Sequence, residues 1–239
     1  METARIADLL DPFLGPANAE RLTPGALHDI STYIDILLRW NARINLTAIR
    51  DPEDIVPRHF GESLFAASHL FPIPITVSSV SSVVKMPSPV SSVSPVVEAV
   101  ASASTVADVG SGSGFPGLPL KLWAPQITLT LIESNHKKAT FLREVVRTLG
   151  LTGVKIVNTR AEALTETFDL VTLRAVEEFT SILRTAATLV APSGRLGLLI
   201  SSSQVSAAQA SLPHFSWSIP VPIPLSRSRV LAVATNHRG

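Results

Sequence analysis

The chain has 239 residues, of which 46% are hydrophobic, a formal net charge of +1 and no cysteine. That length supports one sizeable core, or one core plus a small lobe, and the missing cysteines exclude disulfides, thiolate metal sites and cysteine nucleophiles. No run reaches the ~18 apolar residues of a membrane helix, the N-terminal METARIADLLDPFLG lacks the basic start and apolar stretch of a secretory signal, and the near-neutral charge leaves any nucleic-acid partner to local basic patches, so a cytoplasmic, membrane-free protein is expected.

Residues 1–70 read as a helical N-terminal cap. Leu27, Ile30, Ile34, Leu37 and Leu38 recur at helical spacing. Thr23-Pro24 is a start signal, with Thr as N-cap and Pro in the first helical position. Asp51-Pro52-Glu53 marks a second start, leading through Ile55-Val56 towards Leu64. Residues 71–104 differ in kind: they are built from Ser, Val, Pro and Ala, with only Lys85 and Glu98 charged. Their prolines break any long element, so an inserted loop is expected over an extra hairpin.

From residue 105 to 239 strands and helices alternate. TVADVG is a short strand running into a glycine turn, and residues 116–123 start a helix. ITLTLIE is a strand with an acid at its end. HKKATFLREVVRTLG is an amphipathic helix closed by Gly150, with Phe141, Leu142, Val145, Val146 and Leu149 on its apolar face. VKIVNT and FDLVTLR are strands, EEFTSILRTAATLV a helix and GRLGLLIS a strand, while HFSWSIPVPI and SRVLAVAT make a terminal antiparallel pair. This alternation predicts a mostly parallel sheet covered on both faces.

The central motif runs from Asp108 through Gly110, Gly112 and Gly114 to Gly117. Glycines let a backbone turn tightly and approach a ligand closely, the following helix offers free N–H groups, and ligands of open α/β sheets lie beyond the carboxyl ends of the strands, where this turn falls. Gly112, Gly114 and Gly117 also satisfy the dinucleotide G-x-G-x-x-G pattern, with Glu133 at a plausible distance for a ribose contact. A nicotinamide-dependent oxidoreductase is therefore a rival reading. Asp108, directly before the first glycine, would crowd a pyrophosphate yet suits a zwitterionic amino-acid ligand, and Glu133 ends the next strand where a carboxylate can take both ribose hydroxyls of an adenosyl group. The bland alternatives are a helix-capping role for Asp108 and a solvated strand end for Glu133.

With these residues assembled, the chain resembles the bacterial 16S rRNA guanine-N7 methyltransferase family, RsmG or GidB. Trp40-Asn41-Ala-Arg-Ile44-Asn45-Leu46-Thr47 is similar to the family's W-N-x-x-I-N-L-T, and His59-Phe-Gly-Glu62-Ser63 to its H-x-x-D-S with Glu for Asp. Gly110 to Gly117 is similar to G-S-G-x-G-F-P-G, Lys137-Lys138-Ala-Thr-Phe141-Leu142 to K-K-x-x-F-L, and Arg160-Ala161-Glu162 to R-A-E. Arg174-Ala175 resembles the end of S-R-A, with Leu173 for Ser. The pieces cover roughly residues 25–70 and 105–235. Ser201-Ser202 stands where the family usually carries Lys-Gly, and the 71–104 segment is longer than the usual link.

The resemblance implies a class I S-adenosylmethionine-dependent methyltransferase fold, Rossmann-like, with a mostly parallel seven-stranded sheet. It implies formation of 7-methylguanosine in small-subunit rRNA, free or in the 30S particle, by a monomer. S-adenosyl-L-methionine would be the methyl donor, with contacts implied by the family at Gly110, Phe115, Ala161, Glu162 and Arg174, beside Gly112 and Glu133 from the glycine turn and the strand end. Arg174 would sit near the reacting centre as a positioning residue, the competing role being a structural ion pair to Glu162 or Asp169. Guanine N7 already presents a lone pair, so no general base is expected, and no spacing in the chain suggests a metal. His59 is then a hydrogen-bonded structural histidine more readily than a base, and Trp40 a packing residue as readily as an RNA contact. Lys137, Lys138, Arg143 and Arg147 on one helix, and Arg227, Arg229, His237 and Arg238 near the end, are solvated faces or phosphate contacts. The substitution at Ser201-Ser202 keeps a further alternative open, a non-catalytic RNA- or donor-binding relative.

Overall fold

In the computed structural model, residues 1–15, 18, 21–72, 104–174 and 179–237 are described. The expected loop lies almost wholly outside them, as do Ala175 to Glu178. The first helix, α1 (Thr3–Leu14), buries Ile6, Leu10, Phe13 and Leu14. The second, α2 (Pro24–Asn41), begins as its sequence demands: the Thr23 hydroxyl accepts from the Ala26 amide at 3.2 Å and Pro24 occupies the first turn. Ile30, Ile34 and Leu37 of the predicted stripe are buried, and Leu27 and Leu38 pack at its margin. Asp51 caps the short α3 (Pro52–Ile55) by accepting from the Glu53 amide at 2.9 Å. The chain then widens into a π-helical turn, Val56–Gly61, before α4 (Glu62–Leu70). Gly61 has no room for a side chain: a Cβ there would lie 2.6 Å from the Phe13 ring. The small residue lets α1 close on the π turn.

The remainder is one sheet with helices on its faces. Its strands are β1 (Thr105–Val109), β2 (Thr128–Ile132), β3 (Val154–Val157), β4 (Phe168–Arg174), β5 (Val190–Ser201), β6 (Phe215–Trp217), β7 (Val221–Pro222) and β8 (Arg229–Asn236). The helices between them are α5 (Gly117–Trp123), α6 (His136–Thr148), α7 (Phe179–Thr188) and α8 (Val205–Ser211). The order is β3-β2-β1-β4-β5-β8-β6. β1 to β5 are parallel, and β8 runs antiparallel to both β5 and β6. This is the class I methyltransferase arrangement, and the two-residue β7 is an addition beside β8. The predicted α7 yields at its C-terminal end, because Val190 pairs with Phe168 and opens β5 instead.

Alternate residues of each strand feed different cores, as the two-residue period requires. Val106 and Leu170 face one core with the cap helices and α5; Ala107, Val109, Val171 and Leu173 face the other with α7 and α8. The cap is therefore a wall of the sheet's own core. Trp40 fixes it further: its indole N–H donates to Glu144 of α6 at 2.9 Å and its ring meets Phe141 edge-on. Asn41 shapes the following turn, its side-chain oxygen accepting from the Leu46 and Thr47 amides while its NH2 donates to the Thr47 carbonyl. The W-N-x-x-I-N-L-T segment works here as an internal brace.

Candidate active site

β1 ends at Val109, and the chain turns through Gly110, Gly112 and Gly114 with φ of 68°, 55° and 85°. These are left-handed conformations that disfavour other residues. Two of the motif glycines also answer to packing. A Cβ on Gly114 would lie 2.3 Å from the Tyr33 hydroxyl and 2.7 Å from Leu118, and one on Gly117 would lie 2.6 Å from Leu131 and 2.9 Å from the Asp108 carboxylate. The spacing that resembled a dinucleotide fingerprint is thus accounted for inside the protein.

Asp108 is 1% exposed. Its carboxylate accepts from the Thr172 hydroxyl at 2.8 Å and from the Gly117 amide at 3.3 Å, tying β1 to β4 and to the first turn of α5. Burial pushes its pKa up to about 6, against those hydrogen bonds and the nearby Arg174 charge. Glu133 follows β2. Its two oxygens accept from the Gly112 amide at 2.8 Å and the Asn135 amide at 2.7 Å, so the acid and the glycine turn hold each other. Asn135 in turn caps α6 through Lys137 and Lys138.

A cleft opens at this edge, lined by Val109, Gly110, Ile132, Ser134, Ala161 and Glu162 among others. It brings together three predicted donor contacts, Gly110, Ala161 and Glu162, and Glu133 lies between two of its lining residues. Phe115 is elsewhere. It is buried in the cap interface, stacked on Tyr33 at 5.3 Å and on His59 at 4.8 Å, with Phe60 edge-on at 5.0 Å. The Tyr33 hydroxyl donates to the Ser113 carbonyl, which pins the turn from the cap side.

Arg174, at the end of β4, makes its hydrogen bonds and ion pair with other groups than Glu162 and Asp169, the two acids expected as its partners. Asp169 instead accepts from the Thr105 amide and hydroxyl. Arg174 pairs with Glu62 at 3.2 Å and donates to the Arg58 and His59 carbonyls and the Ser63 hydroxyl. Glu62, only 1% exposed, also takes Arg58 Nε at 3.5 Å and Arg229 Nη2 on its other oxygen. Burial pushes the Glu62 carboxyl up while the three guanidiniums oppose that shift. The Glu-for-Asp substitution thus lies at the centre of an arginine cluster.

His59 sits in the same cluster. Its Nδ1 faces Arg174 Nη2 at 3.4 Å, and since a guanidinium only donates, Nδ1 accepts and the proton lies on Nε2, 2.8 Å from the Thr47 hydroxyl. Burial and the charges of Arg174, Arg58 and Arg229 lower its pKa to about 3. Both ring nitrogens are engaged. At Ser201 the side chain caps a 3-10 turn, Ser202–Gln204, and the residue faces Arg229 across β5 and β8. Sequence reasoning singled out neither Arg58, Tyr33 nor Thr172. The only local signals were the four-residue spacing of Arg58 and Glu62 and a threonine in an apolar strand.

The family profile described as rRNA small subunit methyltransferase G, GidB, matches residues 26–77 and 90–213. A ribosomal RNA small subunit methyltransferase G from Xylella fastidiosa (strain 9a5c) is 39% identical over 166 residues, which are 69% of this chain and 64% of the relative. The chain thus spans just under two thirds of the length of that relative. The protein of the same name from Stenotrophomonas maltophilia (strain K279a) is 36% identical over 196 residues, 81% of this chain and 77% of the relative. Among solved structures, the ribosomal protein L11 methylase of Lactobacillus delbrueckii subsp. bulgaricus superposes with a TM-score of 0.49 at 18% identity, covering 58% of this chain and 73% of that one. On the extent of the profile match and the identity to both relatives, the chain belongs to the rRNA small subunit methyltransferase G family, GidB.

Proposed function

We propose that the protein transfers a methyl group from S-adenosyl-L-methionine to N7 of a guanine in small-subunit rRNA. The observation that carries this reading is the cleft beyond β1 and β2, where Gly110, Ala161 and Glu162 meet beside the Glu133 carboxylate. The donor supplies an electrophilic methyl carbon on a sulfonium centre. The protein's part is to hold it. Gly110 gives the amino-acid end a bare backbone, and Gly112, held by Glu133, keeps the turn open. Each Glu133 oxygen has a lone pair beyond its backbone contact for a ribose hydroxyl. Ala161 and the Glu162 backbone take the adenine edge. Phe115 contributes from below the turn by fixing its shape against Tyr33 and His59.

N7 carries its lone pair already, so catalysis is alignment more than proton transfer. The engaged nitrogens and low pKa of His59 fit that economy. Arg174 stays charged and acts as a positioning residue through its planar fork. The substrate is rRNA, free or within the 30S particle, met by a monomer in the cytoplasm; no helix among the described residues is long and apolar enough to cross a membrane. The test is incubation with labelled donor and small-subunit rRNA, followed by mapping of the modified base. Label at a guanine N7 is expected; no transfer to either naked RNA or the 30S particle would refute the activity.

A further inference from the structure

The arginine cluster around Glu62 holds more positive charge than it answers. Arg58, Arg174 and Arg229 all reach one carboxylate. His59, which touches Arg174, is neutral above about pH 3. The Asp108 carboxylate also senses Arg174, but its oxygens are taken up by Thr172 and Gly117. Counting both acids as ionised, one guanidinium charge still has no counter-charge. Taking guanidiniums out of water around too few anions is costly unless a further anion completes the set.

Two of the three guanidinium side chains reach solvent. Arg58 is half exposed and Arg229 a quarter exposed, and both bind the same Glu62 oxygen, which sets their guanidiniums side by side. The Nε of Arg229 is buried with no hydrogen-bond partner among the described residues. Position adds to this. β4 delivers Arg174 next to β1 and the glycine turn, and Arg229 opens β8 opposite Ser201 at the end of β5. The cluster therefore occupies the β4-β5-β8 half of the edge whose β1-β2-β3 half carries the donor cleft.

We propose that Arg58 and Arg229, held by Glu62, form a seat for a phosphodiester of the RNA beside the target nucleotide. This rests on the rRNA reading above. Paired guanidiniums present the planar forks that suit phosphate oxygens. Such a contact sets the position and orientation of the strand and reads no sequence. It would supply a fixed cation beside the methyl acceptor in a chain whose Ser201 has no charge to offer there.

Arg58→Gln and Arg229→Gln test it, read by fluorescence anisotropy of a short single-stranded fragment of small-subunit rRNA across a salt series. Each variant is expected to weaken binding by ~10-fold at low salt and to reduce the slope of log affinity against log salt by ~0.7 to 1, the loss of one phosphate contact. Affinity for S-adenosylmethionine, measured by calorimetry, is expected to stay at the parental value. Unchanged RNA affinity and slope would overturn the proposal. So would weakened donor binding with RNA binding intact, which would assign the cluster to the donor's carboxylate, and so would a parent protein that does not bind the fragment. If Arg229→Gln does not fold, Arg58→Gln decides, since its side chain is half in solvent. Methyl transfer by the parent scores the enzyme reading separately: RNA binding with the predicted slope change but no transfer would refute the activity and leave the seat standing.

Discussion

Glu62→Gln tests the electrostatic core of the site by stability alone. The substitution keeps the shape and one carbonyl oxygen but removes the charge that three guanidiniums share. Arg174 and Arg229 are the more buried partners, and uncovering a buried charge by deleting its counter-ion costs about 3–5 kcal/mol. The Arg58 contact is half exposed, so its share falls to the range of a surface pair, about 0–1 kcal/mol. The retained oxygen still accepts from one cation, which places the expected loss near the lower end, about 3 kcal/mol. For a chain of this size that is a fall in Tm of about 6–12 °C. Thermal unfolding followed by circular dichroism at neutral pH and low salt reads it directly. A variant melting within about 2 °C of the parent would mean that the guanidiniums are solvated or otherwise neutralised, and the charge imbalance argued above would not exist.

Gly114→Ala puts a Cβ against the Tyr33 hydroxyl at a φ of 85°; backbone strain and overpacking together predict a loss of about 2–5 kcal/mol, and a parental melting curve would refute the packing account of that glycine. Gly110→Val should weaken donor binding ~10-fold or more in calorimetry, about 1.4 kcal/mol, and unchanged affinity in a folded variant would remove the turn from the donor site. Arg174→Lys keeps the charge but cannot span the Arg58, His59, Ser63 and Glu62 contacts. It should slow methyl transfer ~100-fold, about 2.7 kcal/mol, and leave donor affinity within about threefold; near-parental turnover on rRNA would end its positioning role. In acid, unfolded His59 takes up a proton below about pH 6.5 that the folded chain refuses until about 3, so stability drops as pH falls through that window. Asp108 works the other way, because the folded chain binds its proton near pH 6 and the unfolded chain only near 4. Asp108→Asn removes this offset and should lose stability more steeply than the parent between pH 6 and 4; equal slopes would contradict the raised Asp108.

Local patterns carried the fold a long way. Two-residue alternation in β1 and β4, the Thr23-Pro24 start of α2 and the glycine turn are each decided within a few neighbours, and each was legible. The segment HFSWSIPVPI, read as one strand antiparallel to SRVLAVAT, is divided into β6 and β7, both antiparallel to β8, and the end of α7 was overridden by the pairing of Val190 with Phe168. In the candidate site, Gly110 was singled out by the glycine turn and Ala161 and Glu162 by the family resemblance, and all three line the cleft. The pairing of Arg174 with Glu62 was not legible. Glu62, Arg174 and Arg229 are distant in sequence and meet only where the cap packs against the sheet. Phe115 sits beside the turn in sequence, but the three rings from the cap that enclose it could not be read from its own neighbourhood.

The Tyr33 hydroxyl occupies the notch that Gly114 leaves open and donates to the next carbonyl back, that of Ser113. The shape of the cleft is consequently tied to a helix, α2, that contributes no residue to its lining. A screen for lost methylation should recover lesions in α2, at Tyr33 and beside it, that look remote on a map of the cleft. Such alleles would be suppressed by second changes in the turn more readily than by raised donor supply, because the damaged part is the mould and the cleft only its cast.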